Sequence, residues 1–178
     1  MTNSKKSTEI TNGIRKRFED GTSNFANAKC YGYSRSESGD LVINEDEASV
    51  VRFIFDTYLA GASLGKVAKL LCQKGVLSPG AKPTWGRSAL DHLLSNEKYI
   101  GGVVLQKTVS QNGKQVKNTG TSSQFQIKNH HPAIIPQELF QAVQNEKQQR
   151  SNIVQTKEGP QRADTRYHSP QVLDDFSL

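Results

Sequence analysis

The chain has 178 residues, 34% of them apolar, with a formal net charge of +6 and a mean hydropathy of −0.63. That is enough for one lean domain with solvated tails, and no apolar run is long enough to span a bilayer. The opening Met1-Thr2-Asn3-Ser4-Lys5-Lys6 lacks the apolar stretch of a signal peptide, so a cytoplasmic protein is expected. Cys30 and Cys72 stand alone without a second pair, which excludes a disulfide framework and a four-ligand zinc site; no metal and no cofactor is implied.

The charge is unevenly placed. Residues 1–35 hold seven basic residues against three acidic ones, residues 36–63 hold one against six, and residues 64–128 hold ten against two. Two basic segments thus bracket an acidic one, as expected if the brackets face phosphates and the acidic segment faces away. A mixed solvated surface gives the same numbers, so charge alone does not decide.

The first element is a helix of about ten residues ending near Asp20 and Gly21, with Ile10, Ile14 and Phe18 at spacing four and Arg15, Lys16 and Arg17 in its last turns, where cations suit the helix dipole. Residues 22–29 have no periodicity and read as a linker. Tyr31-Gly32-Tyr33 leads into a turn at Ser38-Gly39-Asp40 and the apolar triplet Leu41-Val42-Ile43, a small hairpin or a single strand. Asn44 before Glu45, Asp46 and Glu47 is a helix start, with Glu47 in capping-box position. The helix runs to about Leu59 and buries Ala48, Val51, Phe55, Tyr58 and Leu59, making it the centre of the core.

Ser63 caps a second helix with Leu64, Val67, Ala68 and Leu71 on one face, and Gly75 ends it. After a loop with Pro79, Gly80 and Pro83, a third helix over 87–95 buries Leu90, Leu93 and Leu94 and presents Arg87, Ser88, Asp91 and His92. Two amphipathic helices with a polar outer face on the second fit a helix-turn-helix with the third helix as reader. The connecting loop of about twelve residues is long for that motif, so the residues alone fit an ordinary helical hairpin better. Trp85 reads as a core or docking residue, since a single aromatic does not make a base-stacking platform.

The residues 99–105 then form a strand whose partner is 124–128, where polar and apolar positions alternate. Between them, residues 108–123 are too polar to pack. They form either the tip of a long hairpin, a wing with Lys107, Lys114 and Lys117 near phosphates, or a mobile loop. Pro136 opens a last helix running to about Arg150, and residues 151–178 are expected to be disordered. His130 and His131 invite a metal or a base, but adjacent side chains diverge on a strand and no nucleophile stands by, so both are expected to be structural.

Several stretches together carry a resemblance: Ser95-Asn-Glu-Lys-Tyr-Ile-Gly-Gly-Val-Val-Leu-Gln-Lys-Thr108, His130-His-Pro-Ala-Ile-Ile-Pro-Gln-Glu-Leu-Phe-Gln-Ala-Val-Gln144, Tyr31-Gly32-Tyr33 and Trp85. In this order, over roughly residues 10 to 150, the chain resembles the recombinase domain of the large serine recombinases, the DNA-binding module that follows a resolvase-type catalytic domain. The resemblance implies a helix-turn-helix-like reading of the 87–95 helix. It also implies a catalytic domain ahead of Ile10, where nine residues stand, and a zinc ribbon and coiled coil after Arg150. The reaction needs a nucleophilic serine and an arginine cluster for the charge developing on the phosphate. The serines here lie in caps, turns and polar loops, so the expectation is a recognition part without a catalytic centre, whether excised or from a fragmented gene.

The expected fold is α+β, mainly α: a helix-turn-helix-like three-helix core with a small antiparallel hairpin as a wing and a C-terminal helix. The expected division is an N-terminal helix and linker over 1–29, the DNA-binding domain over 30–150, and a tail over 151–178. The expected partner is double-stranded DNA at an attachment half-site, with Arg15, Lys16, Arg17, Lys29, Arg87, Ser88, Asp91, His92, Lys107, Lys114 and Lys117 as contacts. A catalytic domain supplied by another chain, or further copies of this chain on the DNA, would complete the assembly. The rivals are a protein adaptor that uses the apolar face of the 44–60 helix and a non-catalytic subunit of a split recombinase.

Overall fold

The computed structural model describes residues 2–19, 23–111, 113–156 and 159–163. The chain divides into two compact units, Met1–Ala48 with Glu97–Ile134, and Ser49–Asn96 with Ile135–Leu178. As expected, the fold is mainly helical, with small antiparallel strand pairs. No described helix is long and apolar enough to cross a membrane.

In the first unit, α1 (Thr2–Glu19) has 18 residues and extends well ahead of the apolar stripe from which it was predicted. No proline or glycine precedes Gly13, so nothing in those polar turns stops the helix. Only the C-terminal end of the stripe is used for packing. Phe18 joins Phe125 and Ile127 against buried Ala26, Val103 and Leu105, while Ile10 stays exposed.

β1 (Tyr33–Arg35) and β2 (Leu41–Ile43) form the predicted hairpin, with Tyr33 opposite Ile43. Its turn is closed by Ser36 N donating to the Asp40 carbonyl at 2.9 Å. Asn44 caps the helix that follows, its Oδ1 accepting from Glu47 N at 3.4 Å. The Glu47 carboxylate is not turned back onto the cap as a capping box requires; it accepts from Gly32 N at 2.7 Å and fastens the Tyr31-Gly32-Tyr33 turn instead.

The stretch expected as one strand from Tyr99 is two elements. A 3-10 turn (Glu97–Ile100) comes first, Gly101 follows with φ +75°, and only then does β3 (Val103–Leu105) pair with β6 (Phe125–Ile127). The break is caused by the close approach of residues 130–134: His130 N donates to the Gly101 carbonyl at 2.8 Å and Ile134 N to that of Tyr99 at 2.9 Å.

The polar insert has its own ladder. β4 (Thr108–Gln111) and β5 (Lys114–Lys117) pair with Val109 opposite Val116, which supplies the one apolar cross-strand pair of the hairpin. Behind it Asn118 is buried and donates through Nδ2 to the carbonyls of Gln106 and Ser122 at 2.9 and 2.7 Å. Its Oδ1 accepts from Gly120 N and Ser122 N. A single amide thereby satisfies the backbone of a turn that has no apolar residue to anchor it.

In the second unit α2 (Glu45–Leu59), whose first residues belong to the first unit, buries Val51, Ile54, Phe55 and Tyr58. Leu59, expected on the same face, is exposed at the end of the helix; the rest of the apolar face on which an adaptor reading rests is inside this unit's own core. α3 (Leu64–Gln73) is capped by Ser63, whose hydroxyl accepts from Lys66 N at 3.2 Å, and it buries Val67 and Leu71. The loop to α4 (Arg87–Leu94) is pinned by Trp85, which is buried and donates from Nε1 to the Val76 carbonyl at 3.1 Å. This is the predicted core role.

α5 (Gln137–Gln149) follows Pro136 and buries Val143. Beyond it, β7 (Ile153–Thr156) and β8 (Gly159–Arg162) form a hairpin in a stretch expected to be disordered. The hairpin has its Gly159 at φ +112°, the turn residue that low apolar content concealed. Residues 164–178, the rest of the expected tail, lie outside the described residues, as do Asp20 and Gly21.

Candidate nucleic-acid interface

α4 separates its residues sharply. Leu90, Leu93 and Leu94 are buried; Ser88 and His92, one turn apart, are exposed on the other side, and Arg87 is exposed at the start of the helix. The helix has only eight residues, too few to hold together by propensity, so its stability has to come from packing and from its ends. Its C-terminal end is held by α5. Gln144 donates to the Leu94 carbonyl at 2.7 Å, and Lys147 donates to the Asp91 carbonyl at 3.0 Å and also to the Ser95 hydroxyl. These are carbonyls and a cap position that a helix end leaves without intrahelical partners, and a cation placed there also suits the dipole. Arg150 does the same for the end of α2. Its Nη1 and Nη2 donate to the carbonyls of Ala62 and Tyr58 at 2.8 and 3.1 Å, its Nε to Glu146 at 2.6 Å, and its guanidinium lies 4.4 Å from the centroid of the Tyr58 ring.

Gln144, Lys147 and Arg150 were missed in the sequence because α5 looked merely polar. Their spacing of three puts all of them on one helix face, and that is the signal that could have found them.

Of the predicted contact residues, Ser88 and His92 share one exposed face and Arg87 is exposed beside the start of α3; Asp91 is turned to Lys147, with its carboxylate 2.7 Å from the ammonium. In the first unit Arg15, Lys16 and Arg17 are exposed on the last turns of α1, and Lys29 is exposed in the segment that follows. Lys114 and Lys117 are exposed on β5 of the wing. Lys107 is exposed but paired, its ammonium 2.6 Å from Glu97, whose other oxygen accepts from Val104 N at 3.0 Å.

A cation that was not singled out is Lys98. It donates to the Ala28 carbonyl at 2.9 Å, and its half-buried position lowers its pKa, with burial the largest cause. Its own carbonyl is a junction, reached by the Tyr33 hydroxyl at 3.0 Å and by His131 Nε2 at 2.7 Å. The Tyr33 hydroxyl also reaches the Pro132 carbonyl at 2.9 Å, and burial raises its pKa.

His130 and His131 do not diverge as strand neighbours would. They lie in a bend, and their Nδ1 atoms are 3.1 Å apart. A carbonyl only accepts, so His131 Nε2 carries the proton towards Lys98; His131 Nδ1 is then the acceptor and His130 Nδ1 the donor. Both rings work as neutral structural links, and burial lowers both pKa values. Among the described residues no group of three or more His, Cys, Asp or Glu is placed to hold a metal ion.

The site is therefore a short helix with a polar outer face, fastened at its C-terminal end by α5. The family model for the Recombinase domain matches residues 45–150, which is α2 through α5. The chain belongs to the Recombinase family. Among solved structures it is similar to one described as an LSR–DNA complex, at 24% identity and a TM-score of 0.50 over 71% of this chain and 34% of that one. That likeness shows the fold. It is also similar to a structure solved for the sequence requirements of the Listeria innocua prophage attP site, at 26% identity and a TM-score of 0.52, over 79% of this chain and 51% of that one. This recombinase domain thus spans between a third and a half of the length of those relatives.

Proposed function

We propose that this recombinase domain is the DNA-recognition part of a site-specific recombinase, and that it binds one half of an attachment site as double-stranded DNA. The observation that carries the reading is α4: a helix of the matched family region whose Ser88 and His92 face outward, with Arg87 exposed at its start, and whose C-terminal end is fastened by α5. A helix that enters a major groove must present side chains outward and resist rotation, and this one does both. The solved relatives support DNA as the partner, since one is a complex with DNA and the other concerns an attP site.

In this reading residues 30–150 are the recognition domain. Arg15, Lys16, Arg17 and Lys29 lie along the backbone or in the minor groove, α4 enters the major groove, and Lys114 and Lys117 of the wing meet phosphates. Asp91 and Lys107 serve by holding their neighbours in place. Cleavage is the task of a serine nucleophile outside this recognition part, whether in another domain or in another chain.

The test is a selection of duplexes from a random library with the full chain, followed by titrations at several salt concentrations. Enrichment of one sequence, with log affinity falling linearly in log salt, is expected. Equal affinity for the enriched and the starting pools would overturn sequence-specific binding.

A further inference from the structure

Arg87 is usefully compared with its neighbours. A cavity of about 650 Å3 in the second unit is lined by Ser63, Leu64 and Gly65 of the α3 start, by Arg87 and Asp91 of α4, and by Lys147 and Arg150 of α5. Lys147 is neutralised by Asp91 and Arg150 by Glu146. Among the described residues the Arg87 guanidinium makes no hydrogen bond or ion pair. It is nevertheless laid against the first turn of α3, where an ideal Cβ on Gly65 would stand 3.3 Å from Arg87 Nη2.

That position is unfavourable for a cation. A helix N-terminus carries a partial positive charge, and the first turns of α3 and α4 contain no acidic residue to offset it, whereas α2 begins with three. α4 also starts without a side-chain cap, so its first N–H groups are unclaimed by any cap. A guanidinium without an ion pair, the start of one helix and the uncapped start of another thus gather where, among the described residues, the one carboxylate lining the cavity is already engaged by Lys147.

We infer that this cavity is the seat of one phosphodiester group of the bound DNA, gripped by Arg87 and the first turn of α3, so that Arg87 positions α4 on the backbone rather than reading a base. The inference rests on the DNA-binding reading above and deepens it. A phosphate oxygen pair matches the two parallel donors of a guanidinium, and its negative charge offsets the partial positive charge of the two helix starts. Gly65 is what leaves room for the guanidinium beside the helix start. Ser88 and His92 are then the side chains left to the base edges.

The experiment uses the full chain and the duplex enriched by selection, in a series of duplexes that each carry one charge-neutral methylphosphonate linkage. One linkage is expected to weaken the wild-type chain by about tenfold when neutralised. Arg87→Ala should lose about the same factor on the all-phosphate duplex and lose nothing more at that linkage. Gly65→Ala, which crowds the guanidinium while favouring the helix, should weaken DNA binding at the same linkage without lowering the unfolding temperature. If Arg87→Ala loses further affinity at every linkage alike, or loses affinity only on the enriched sequence, the phosphate seat is wrong and DNA binding still stands. If the wild-type chain binds no duplex, both readings fall.

Discussion

Lys147 holds Asp91 twice: its ammonium lies 2.7 Å from the Asp91 carboxylate and 3.0 Å from the carbonyl oxygen of the same residue. One α5 side chain therefore fixes both the rotation of α4, through a side chain in its middle, and the end of α4, through its backbone. Replacing Lys147 by Met keeps the aliphatic stem and removes both bonds. The Asp91 side chain is 48% exposed, so the ion pair itself is worth little and most of the loss comes from the backbone carbonyl and the hydroxyl of Ser95. A loss of about 1–2 kcal/mol in urea unfolding is expected, with Lys147→Arg nearer to wild type. Unchanged stability in Lys147→Met would show that α4 is held by its leucines alone.

Gly101 separates two causes of glycine dependence. Its φ is +75°, and a Cβ there would stand 2.6 Å from the His131 carbonyl oxygen, which is backbone and cannot move aside cheaply. Gly113 has almost the same φ, +76°, with nothing near it. Gly113→Ala should therefore cost only the conformational strain, about 1 kcal/mol, and Gly101→Ala that strain plus displacement of residues 130–134, about 3 kcal/mol in all. Thermal unfolding of the two variants gives the comparison, and equal losses would remove the steric part of the argument.

The helices were legible because their signals are local: Asn44 and its three following acids, Ser63 before a four-residue apolar face, and a leucine triplet on α4 at helical spacing. What the sequence hid depends on partners distant along the chain. Glu47 looks like half of a capping box, yet Gly32 claims it, 15 residues away. The wing owes its order to Asn118, which in sequence is one more polar residue of a polar insert. The break at Gly101 follows from the approach of residues 130–134, which no periodicity in 99–105 reports. Among the contact residues the exposed face of α4 was readable from its buried face, and the engagement of Asp91 by α5 was not, because a Lys in the last turn of a polar helix has no local reason to point anywhere.

The His131 ring gives the first unit a pH dependence with a definite sign. Burial holds its pKa below the usual 6.5, so the folded state keeps the ring neutral while the unfolded state takes up a proton. Its contribution is therefore complete above pH 6.5 and is lost as the pH falls through that value towards the folded pKa. His130, lowered in the same direction by burial, adds to the trend. Chemical denaturation measured from about pH 8 downward should show stability falling in the mildly acidic range, and His131→Gln, already less stable at the start, should fall less steeply. A parallel decline in wild type and variant would assign the pH dependence to other groups.

Positioning and reading make different demands on DNA binding. Arg15, Lys16, Arg17, Lys114 and Lys117 are exposed cations for which the proposed role is contact with the DNA backbone, so neutralising any one of them should weaken enriched and random duplexes alike and reduce the salt slope by about one. His92 lies on the exposed face of α4, one turn beyond Ser88, where a ring nitrogen can reach a base edge. His92→Ala should cost about 1–3 kcal/mol on the enriched duplex and much less on random DNA. Ser88→Ala should follow the same pattern with a smaller loss, since a hydroxyl makes one bond of lower directionality. Titrations of both duplexes at two salt concentrations distinguish the two classes. If His92→Ala weakens both duplexes equally and the wing lysines discriminate between them, α4 is not the reader and the wing takes that role.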